Sequence, residues 1–114
     1  MEQKDTIIQK VYDLLKTTIP FLNALPRSQK FTLGDKIQTH LTDLLELLIR
    51  AYYAPPPQKR EKLNQANITL EILRHYFRLC FDLNYISFKK YESFAQQLNE
   101  IGRMVGGWLK SIDR

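Results

Sequence analysis

The sequence predicts an all-α fold: an up-and-down antiparallel four-helix bundle formed by a single domain over residues 1–114. Apolar residues recur at helical spacing in four segments, which we predict as helices at residues 4–25, 29–54, 58–83 and 87–110. The connections between these segments are short and contain proline, serine or asparagine, which are typical of turns. A chain of 114 residues is long enough for one modest core.

The composition combines ordinary hydrophobicity with an excess of positive charge. Seventeen Lys and Arg against twelve Asp and Glu give a net charge of +5 and a pI near 9.4. That balance favours an anionic partner such as nucleic acid, but many basic proteins bind no polyanion, so charge alone leaves the two alternatives about even. No apolar run is long enough to cross a bilayer, and the polar first residues are unlike a signal peptide. We therefore expect a soluble, cytoplasmic protein without membrane contact.

Reactive residues are few. The single cysteine, Cys80, rules out an intrachain disulfide and falls on an apolar helix position, so we interpret it as a buried small hydrophobe. His40 and His75 lie on different predicted helices with no acidic pair at fixed spacing. No glycine-rich phosphate loop or HExxH motif occurs. The sequence therefore predicts no catalytic residues, no metal site and no cofactor.

The first two predicted helices have apolar stripes suited to a bundle core. Pro20 interrupts the first, so we expect a kink or a break there. Ser28 can cap the second, and Arg27 and Lys30 stand near its positive end, where the helix dipole disfavours cations. Basic residues in that position suggest an anion site, and ordinary solvated charge is the alternative. Three prolines after Ala54 end the second helix and predict a stiff, extended link.

The third predicted helix has a basic surface away from its apolar stripe. Arg74 and Arg78 are four residues apart and therefore neighbours on one face, and no acid lies between them to pair both. With Arg60 on the same helix, they form a candidate phosphate-binding patch. A solvated basic face without a ligand is the alternative.

The fourth predicted helix begins after a short turn at residues 84–86. Ser87 can cap it, which places Lys89 and Lys90 in its first turn. In an up-and-down bundle the starts of the second and fourth helices lie at the same end. Arg27, Lys30, Lys89 and Lys90 can therefore form one electropositive rim.

The fourth helix is also apolar over a wide arc and contains three of the chain's four glycines. The arc predicts burial against two neighbours, one within the bundle and one a second subunit or partner protein. Because glycine costs about 0.5–1 kcal/mol relative to alanine inside a helix, we expect Gly102 and Gly106 to permit a close approach. Arg103 and Trp108 would then belong to the same interface. The alternative is that Gly106 and the next glycine end the helix as a C-cap.

Two segments resemble a known family. Residues 100–109, Glu-Ile-Gly-Arg-Met-Val-Gly-Gly-Trp-Leu, and residues 26–37, Pro-Arg-Ser-Gln-Lys-Phe-Thr-Leu-Gly-Asp-Lys-Ile, are similar to the accessory variability determinant (Avd) proteins of diversity-generating retroelements. The similarity spans nearly the whole chain. It extends more loosely to four-helix-bundle proteins encoded in intervening sequences of large-subunit ribosomal RNA genes. Those proteins share the Pro-Arg-Ser-Gln-Lys stretch, whereas the glycine-rich ending looks more like Avd.

The resemblance implies four-helix bundles assembled into a homopentameric barrel, with a basic surface and no catalytic site. The implied partners are the retroelement's reverse transcriptase, RNA and possibly DNA, and the implied function is to support mutagenic reverse transcription and retrohoming. Two alternatives stay open. One is a bundle of the ribosomal RNA intervening-sequence type, and the other is an oligomeric protein–protein scaffold that binds no nucleic acid.

On this interpretation the basic residues contact phosphates and the glycine-bearing helix contacts a partner. The residues predicted to bind nucleic acid are Arg27, Lys30, Arg60, Arg74, Arg78, Lys89 and Lys90. The residues predicted at a partner or subunit interface are Gly102, Arg103, Gly106 and Trp108.

Overall fold

The computed structural model describes the backbone of residues 3–113 and the side chains of residues 6–113. Its four long helices are α1 at Gln3–Asn23, α2 at Asp35–Tyr53, α3 at Pro56–Asp82 and α4 at Phe88–Ile112. Each helix packs against the next in sequence, and α4 closes the bundle against α1. The molecule measures 46 × 24 × 22 Å, a little longer than the roughly 40 Å of α3. The predicted all-α four-helix bundle is confirmed.

The core consists of one apolar stripe from each helix. Buried residues fall three or four apart, because that spacing keeps them on the face turned toward the other helices. The largest fully buried side chains are Ile7, Leu14, Ile37, Leu41, Leu44, Leu48, Leu63, Leu70, Leu73, Phe77, Phe94 and Leu98. Cys80 is also buried, and burial raises the pKa of its thiol to about 11, which confirms its interpretation as a small hydrophobe.

Three phenylalanines fix one end of the bundle. Phe94 of α4 stacks on Phe77 of α3 at 4.4 Å between ring centroids and meets Phe21 of α1 at 5.6 Å. Such ring pairs contribute about 0.5–1.5 kcal/mol beyond the area that they bury. These contacts hold the C-terminal ends of α1 and α3 beside the N-terminal end of α4, as an antiparallel bundle requires.

A surface ion pair also joins α4 to α1. Lys10 Nζ lies 2.9 Å from Glu100 Oε1, and both side chains are substantially exposed. The hydrogen bond and the positive charge of Lys10 lower the pKa of Glu100. Exposed pairs of this kind contribute little to stability, so apolar packing is the main term that holds the helices together.

The start of the second helical segment differs from the sequence prediction. A helical turn at Arg27–Gln29 leads into a π-helical turn at Lys30–Gly34, which continues directly into α2. Ser28 lies inside the first turn, and no side-chain hydrogen bond caps it. The prediction that Ser28 is an N-cap is wrong, because the helical backbone begins one residue before it.

Prolines are accommodated inside helices more fully than the sequence predicts. α1 does not break at Pro20 but continues to Asn23. Pro56 opens α3, because the first helical position needs no N–H donor. The predicted extended link over three prolines is therefore reduced to Ala54 and Pro55, which both have extended backbone.

Backbone hydrogen bonds define the turn between α3 and α4. Asn84 adopts a left-handed φ of 65°. The N–H groups of Asn84 and Tyr85 donate to carbonyls in the last turn of α3 at 3.0 and 2.8 Å, which is the Schellman pattern for ending a helix. Ser87 Oγ then accepts a hydrogen bond from the Lys90 N–H at 3.1 Å, so the predicted cap of α4 is confirmed.

We predict that replacing Phe94 by alanine lowers the free energy of unfolding by about 3–5 kcal/mol, because it leaves a cavity where three helices meet. Urea denaturation followed by circular dichroism measures the change. The matched control is Tyr53→Ala, which removes an aromatic ring that is 80% exposed and should cost no more than about 1 kcal/mol. Equal losses in the two variants would contradict the assignment of Phe94 to the core.

Candidate nucleic-acid interface

Four of the predicted basic residues lie at the end of the bundle that holds the phenylalanine cluster. Arg27 and Lys30 follow the C-terminal end of α1, and Lys89 and Lys90 belong to the first turn of α4. The contact between Phe21 and Phe94 shows that these two helix ends are adjacent. Lys30 is partly exposed and the other three cations are exposed. We call these four residues the basic rim.

The basic rim carries charge that no carboxylate among residues 6–113 neutralises by an ion pair. None of its four cations forms an ion pair with the side chains of residues 6–113. By contrast, Lys10, Arg60, Arg74 and Arg78 each pair with a carboxylate. An unpaired surface cation contributes its whole charge to the local potential, so the rim is available to an external anion.

Aromatic rings accompany two of the rim lysines. Lys30 Nζ lies 5.8 Å from the ring centroid of Phe31, and Lys90 Nζ lies 5.7 Å from that of Phe94. At exposed sites such contacts contribute about 0.5–1 kcal/mol. Arg27, Lys30 and Phe31 also line an open depression of about 280 Å³. A shallow, open site of this kind suits part of a polymer better than an enclosed small molecule.

Arg74 and Arg78 are both paired within the chain. Arg74 Nε donates to Asn99 Oδ1 at 3.0 Å, and this hydrogen bond joins α3 to α4. Arg74 Nη1 also donates to Glu71 Oε2 at 3.1 Å. Arg78 Nε lies 3.7 Å from Asp82 Oδ2. No single acid pairs both arginines, but each has an acidic partner of its own. Glu71 and Asp82 lie one turn before and one turn after them, where helical side chains meet.

The seven predicted phosphate-binding residues therefore do not form one surface. Arg74 and Arg78 line a separate depression of about 240 Å³ between α3 and α4, together with His75 and Tyr91. Arg60, near the start of α3, pairs with Asp113 just beyond the end of α4, so it lies at the opposite end of the bundle from the basic rim.

Gly102 makes room for a side chain of the same chain. A Cβ added at Gly102 would lie 2.7 Å from Arg74 Nη2, which is too close for real atoms. The predicted close approach occurs, but inside the bundle rather than to a partner. At Gly106 nothing lies within 4 Å of the corresponding position. α4 runs through both glycines to Ile112, which excludes the alternative that Gly106 ends the helix.

Trp108 belongs to the core of this chain. Its side chain is 2% exposed, and Lys59 Nζ lies 5.7 Å from its ring centroid. The prediction that Trp108 lies at a partner interface is therefore wrong, because its own bundle already covers the indole. Arg103, in contrast, is exposed on α4. Of the four predicted interface residues, Arg103 is exposed, Gly102 and Gly106 are half-buried, and only Trp108 is fully covered by its own bundle.

Comparison with known proteins places this architecture in a family. The sequence model of the bAvd-like family matches residues 6–112. This chain belongs to the bAvd-like family. The resemblance derived from its two motif segments is confirmed.

The fold of this bAvd-like chain is also found in a crystal structure. That structure is of a protein of unknown function from the S23 ribosomal protein family of Bacteroides thetaiotaomicron. The TM-score is 0.88 at 20% identity, over 96% of this chain and 99% of the other. At that identity the likeness establishes the fold alone. The comparison with curated proteins finds no match.

Sequence reasoning missed two aromatic residues beside the basic rim. Phe31 and Phe88 are 64% and 58% exposed. The signal was present in the spacing, because each phenylalanine precedes a buried core residue, Ile37 or Phe94, by six positions. A residue six positions before a core residue lies on a different side of the helix, so each phenylalanine faces away from the core.

A second surface feature of this bAvd-like chain lies between α2 and α3. It is an open groove of about 430 Å³. Leu47, Ile68 and Ile72 give it apolar surface, and Ile68 is 62% exposed. Asp43 and Glu46 also line it, and neither forms an ion pair with any side chain that the structure describes.

No helix in the described part of the chain is both long and apolar enough to span a membrane.

We predict different outcomes for alanine at the two glycines. Gly106→Ala should raise the free energy of unfolding by about 0.5–1 kcal/mol, because alanine is the better helix former and the space is open. Gly102→Ala should gain less, because its methyl group displaces Arg74 from Asn99 and removes a hydrogen bond worth about 0.5–1.5 kcal/mol. Urea denaturation measures both changes.

The control is the same pair of substitutions in an Arg74→Ala background. There Gly102→Ala should gain as much as Gly106→Ala, because no guanidinium remains to be displaced. Equal gains in the original background would show that Arg74 does not depend on the glycine.

Proposed function

We propose that this chain is the non-catalytic accessory protein of a diversity-generating retroelement. It binds nucleic acid and the element's reverse transcriptase, and so supports mutagenic reverse transcription and retrohoming. Membership of the bAvd-like family supports the retroelement context. The observation that carries the nucleic-acid part of the proposal is the basic rim, whose four cations have no ion-pair partner among the described residues.

The rim contributes phosphate contacts through Arg27, Lys30, Lys89 and Lys90. Arg78 is exposed, only loosely paired, and lies about one turn from the end of α3, so it extends the contact surface down the side of the bundle. We assign Arg60 and Arg74 to the fold, since their guanidinium groups already join α3 to α4 or its end. Four neutralised phosphates predict that log affinity falls with log salt at a slope of roughly −3 for a single strand.

We predict that Lys89→Glu with Lys90→Glu weakens RNA binding at least about tenfold and reduces the salt slope by roughly 1.4, because two phosphate contacts are lost. Arg27→Glu with Lys30→Glu should produce the same loss of RNA affinity and the same reduction of the salt slope. Fluorescence anisotropy at several salt concentrations measures both quantities. Lys16→Glu with Lys110→Glu is the matched control, since it makes the same charge change at two exposed cations outside the rim and outside the groove between α2 and α3. If this control weakens binding as much, only net charge matters and the rim is not the site.

We also propose that copies of the chain assemble head to tail. The groove between α2 and α3 supplies exposed apolar surface and the unpaired acids Asp43 and Glu46. The exposed side of α4 supplies Arg103 and the open surface at Gly106. Arg50 and Lys62 also line the groove, so it is not a negative surface as a whole, but Glu46 can still pair with Arg103 across the contact. The two surfaces differ in position, so the contact is heterologous and closes into a ring when the rotation allows. Five subunits per ring follow from the family resemblance.

We predict that Glu46→Arg and Arg103→Glu each shift the assembly toward monomer, because each places like charges in the contact. Combining them should restore the assembly, because the charge pair is re-formed in reverse. Sedimentation velocity measures the outcome, with Glu92→Arg as a control at an exposed acid outside the groove. A chain that is monomeric before substitution, or an assembly that ignores both single changes, would contradict the proposed contact.

The reverse transcriptase contact is tested by co-expression of this chain with the polymerase encoded nearest to it. We predict that the polymerase is retained in a pull-down at moderate salt after nuclease treatment, because the contact is between proteins. Loss of the polymerase after nuclease, with recovery in an untreated sample, would mean that the two proteins meet only through nucleic acid.

A further inference from the structure

The basic rim has an exposed phenylalanine next to each of its two cation pairs. Phe31 directly follows Lys30 at the start of the second helical segment, and Phe88 directly precedes Lys89 at the start of α4. Their side chains are 64% and 58% exposed. The rim therefore presents exposed aromatic rings next to unpaired cations. Apolar faces and positive charges alternate over a short distance.

Neighbouring side chains hold Phe88 in place. Its ring meets the ring of Phe81 at 5.9 Å between centroids and at 62°, and Phe81 in turn stacks on Tyr91 at 5.1 Å and 15°. Phe81 and Tyr91 are half-buried, whereas Phe88 is at the exposed end of this row. A ring supported on one edge and open on the rest of its surface can receive a planar ligand.

On the other side of the rim, Phe31 lines the depression that also contains Arg27 and Lys30. Lys30 Nζ stands 5.8 Å from the Phe31 ring centroid. One cation and one open ring are therefore within reach of the same ligand unit, as a phosphate and its base would require.

We infer that the basic rim binds single-stranded nucleic acid, with Phe31 and Phe88 stacking on unpaired bases while the four rim cations contact the adjacent phosphates. This inference rests on the proposed nucleic-acid function and specifies its ligand. Base faces are open for stacking only when the strand is unpaired, because in a duplex each face is covered by the next base pair. Every base has such a face, so the contact tolerates any sequence.

The helical segments that carry the two rings are close enough for a short stretch of strand to reach from one to the other. α2 and α4 lie across the bundle from each other, because each helix packs against its sequence neighbours and α4 packs against α1. Adjacent axes at about 8–10 Å place such diagonal helices roughly 11–14 Å apart. At a rise of about 3.4 Å per nucleotide, roughly three or four nucleotides span that gap.

The test compares three fluorescently labelled probes by anisotropy: a single-stranded RNA of about a dozen nucleotides, its duplex, and an abasic strand of equal length. The original chain should bind the single strand more tightly than either of the other two. Phe31→Ala with Phe88→Ala should weaken single-strand binding at least about 30-fold, to the level of the abasic strand. The salt slope should not change, because no charge is removed.

Two further variants isolate the rings. Tyr53→Ala with Tyr12→Ala removes two exposed rings elsewhere and should leave binding unchanged. Phe31→Leu with Phe88→Leu keeps apolar side chains but no ring, and should lose as much affinity as the alanine pair. Because both phenylalanines are exposed, circular dichroism should show native helix content in every variant.

Each outcome decides the inference. Equal affinity for single strand and duplex, with no effect of the alanine pair, overturns the stacking contact but leaves nucleic-acid binding through the rim intact. Failure of the original chain to bind any probe overturns both proposals. Binding of anionic phospholipid vesicles in place of RNA, lost in the alanine pair, would instead assign the rings to a membrane surface.

Discussion

The contacts of Phe94 with Phe77 and Phe21 are the interaction on which the rest of the structure depends. They join α4 to α3 and α1 at one end of the bundle. Because of this junction, the turn after α1 and the first turn of α4 share that end although they are far apart in sequence. The basic rim exists only as a consequence of this packing.

Placing four cations together opposes folding, since like charges repel by a few tenths of a kcal/mol per close pair. Among residues 6–113 no carboxylate forms an ion pair with a rim cation, whereas Arg60, Arg74 and Arg78 each have a carboxylate partner. The paired arginines stabilise contacts within the chain, and the four rim cations remain available to an anion.

Helical periodicity predicted the four helices, because core residues must recur at the helical repeat to share one face. The Ser87 cap and the common end of the rim cations also followed from sequence. The sequence did not show what covers Trp108. A wide apolar arc has the same pattern whether a helix of this chain or another subunit covers it. The acid partners of Arg74 and Arg78 could be predicted, because they lie three and four residues away on the same helix. Only the side-chain geometry shows that Gly102 makes room for Arg74.

We propose that the basic rim is the place where nucleic acid meets this bAvd-like chain. Ultraviolet cross-linking of bound single-stranded RNA, followed by mass spectrometric mapping of the modified residues, tests it most directly. If nucleic acid binds at the basic rim, the cross-links should concentrate at residues 27–31 and 88–90. Cross-links concentrated along the groove between α2 and α3, or at the end of the bundle that holds Arg60, would contradict it.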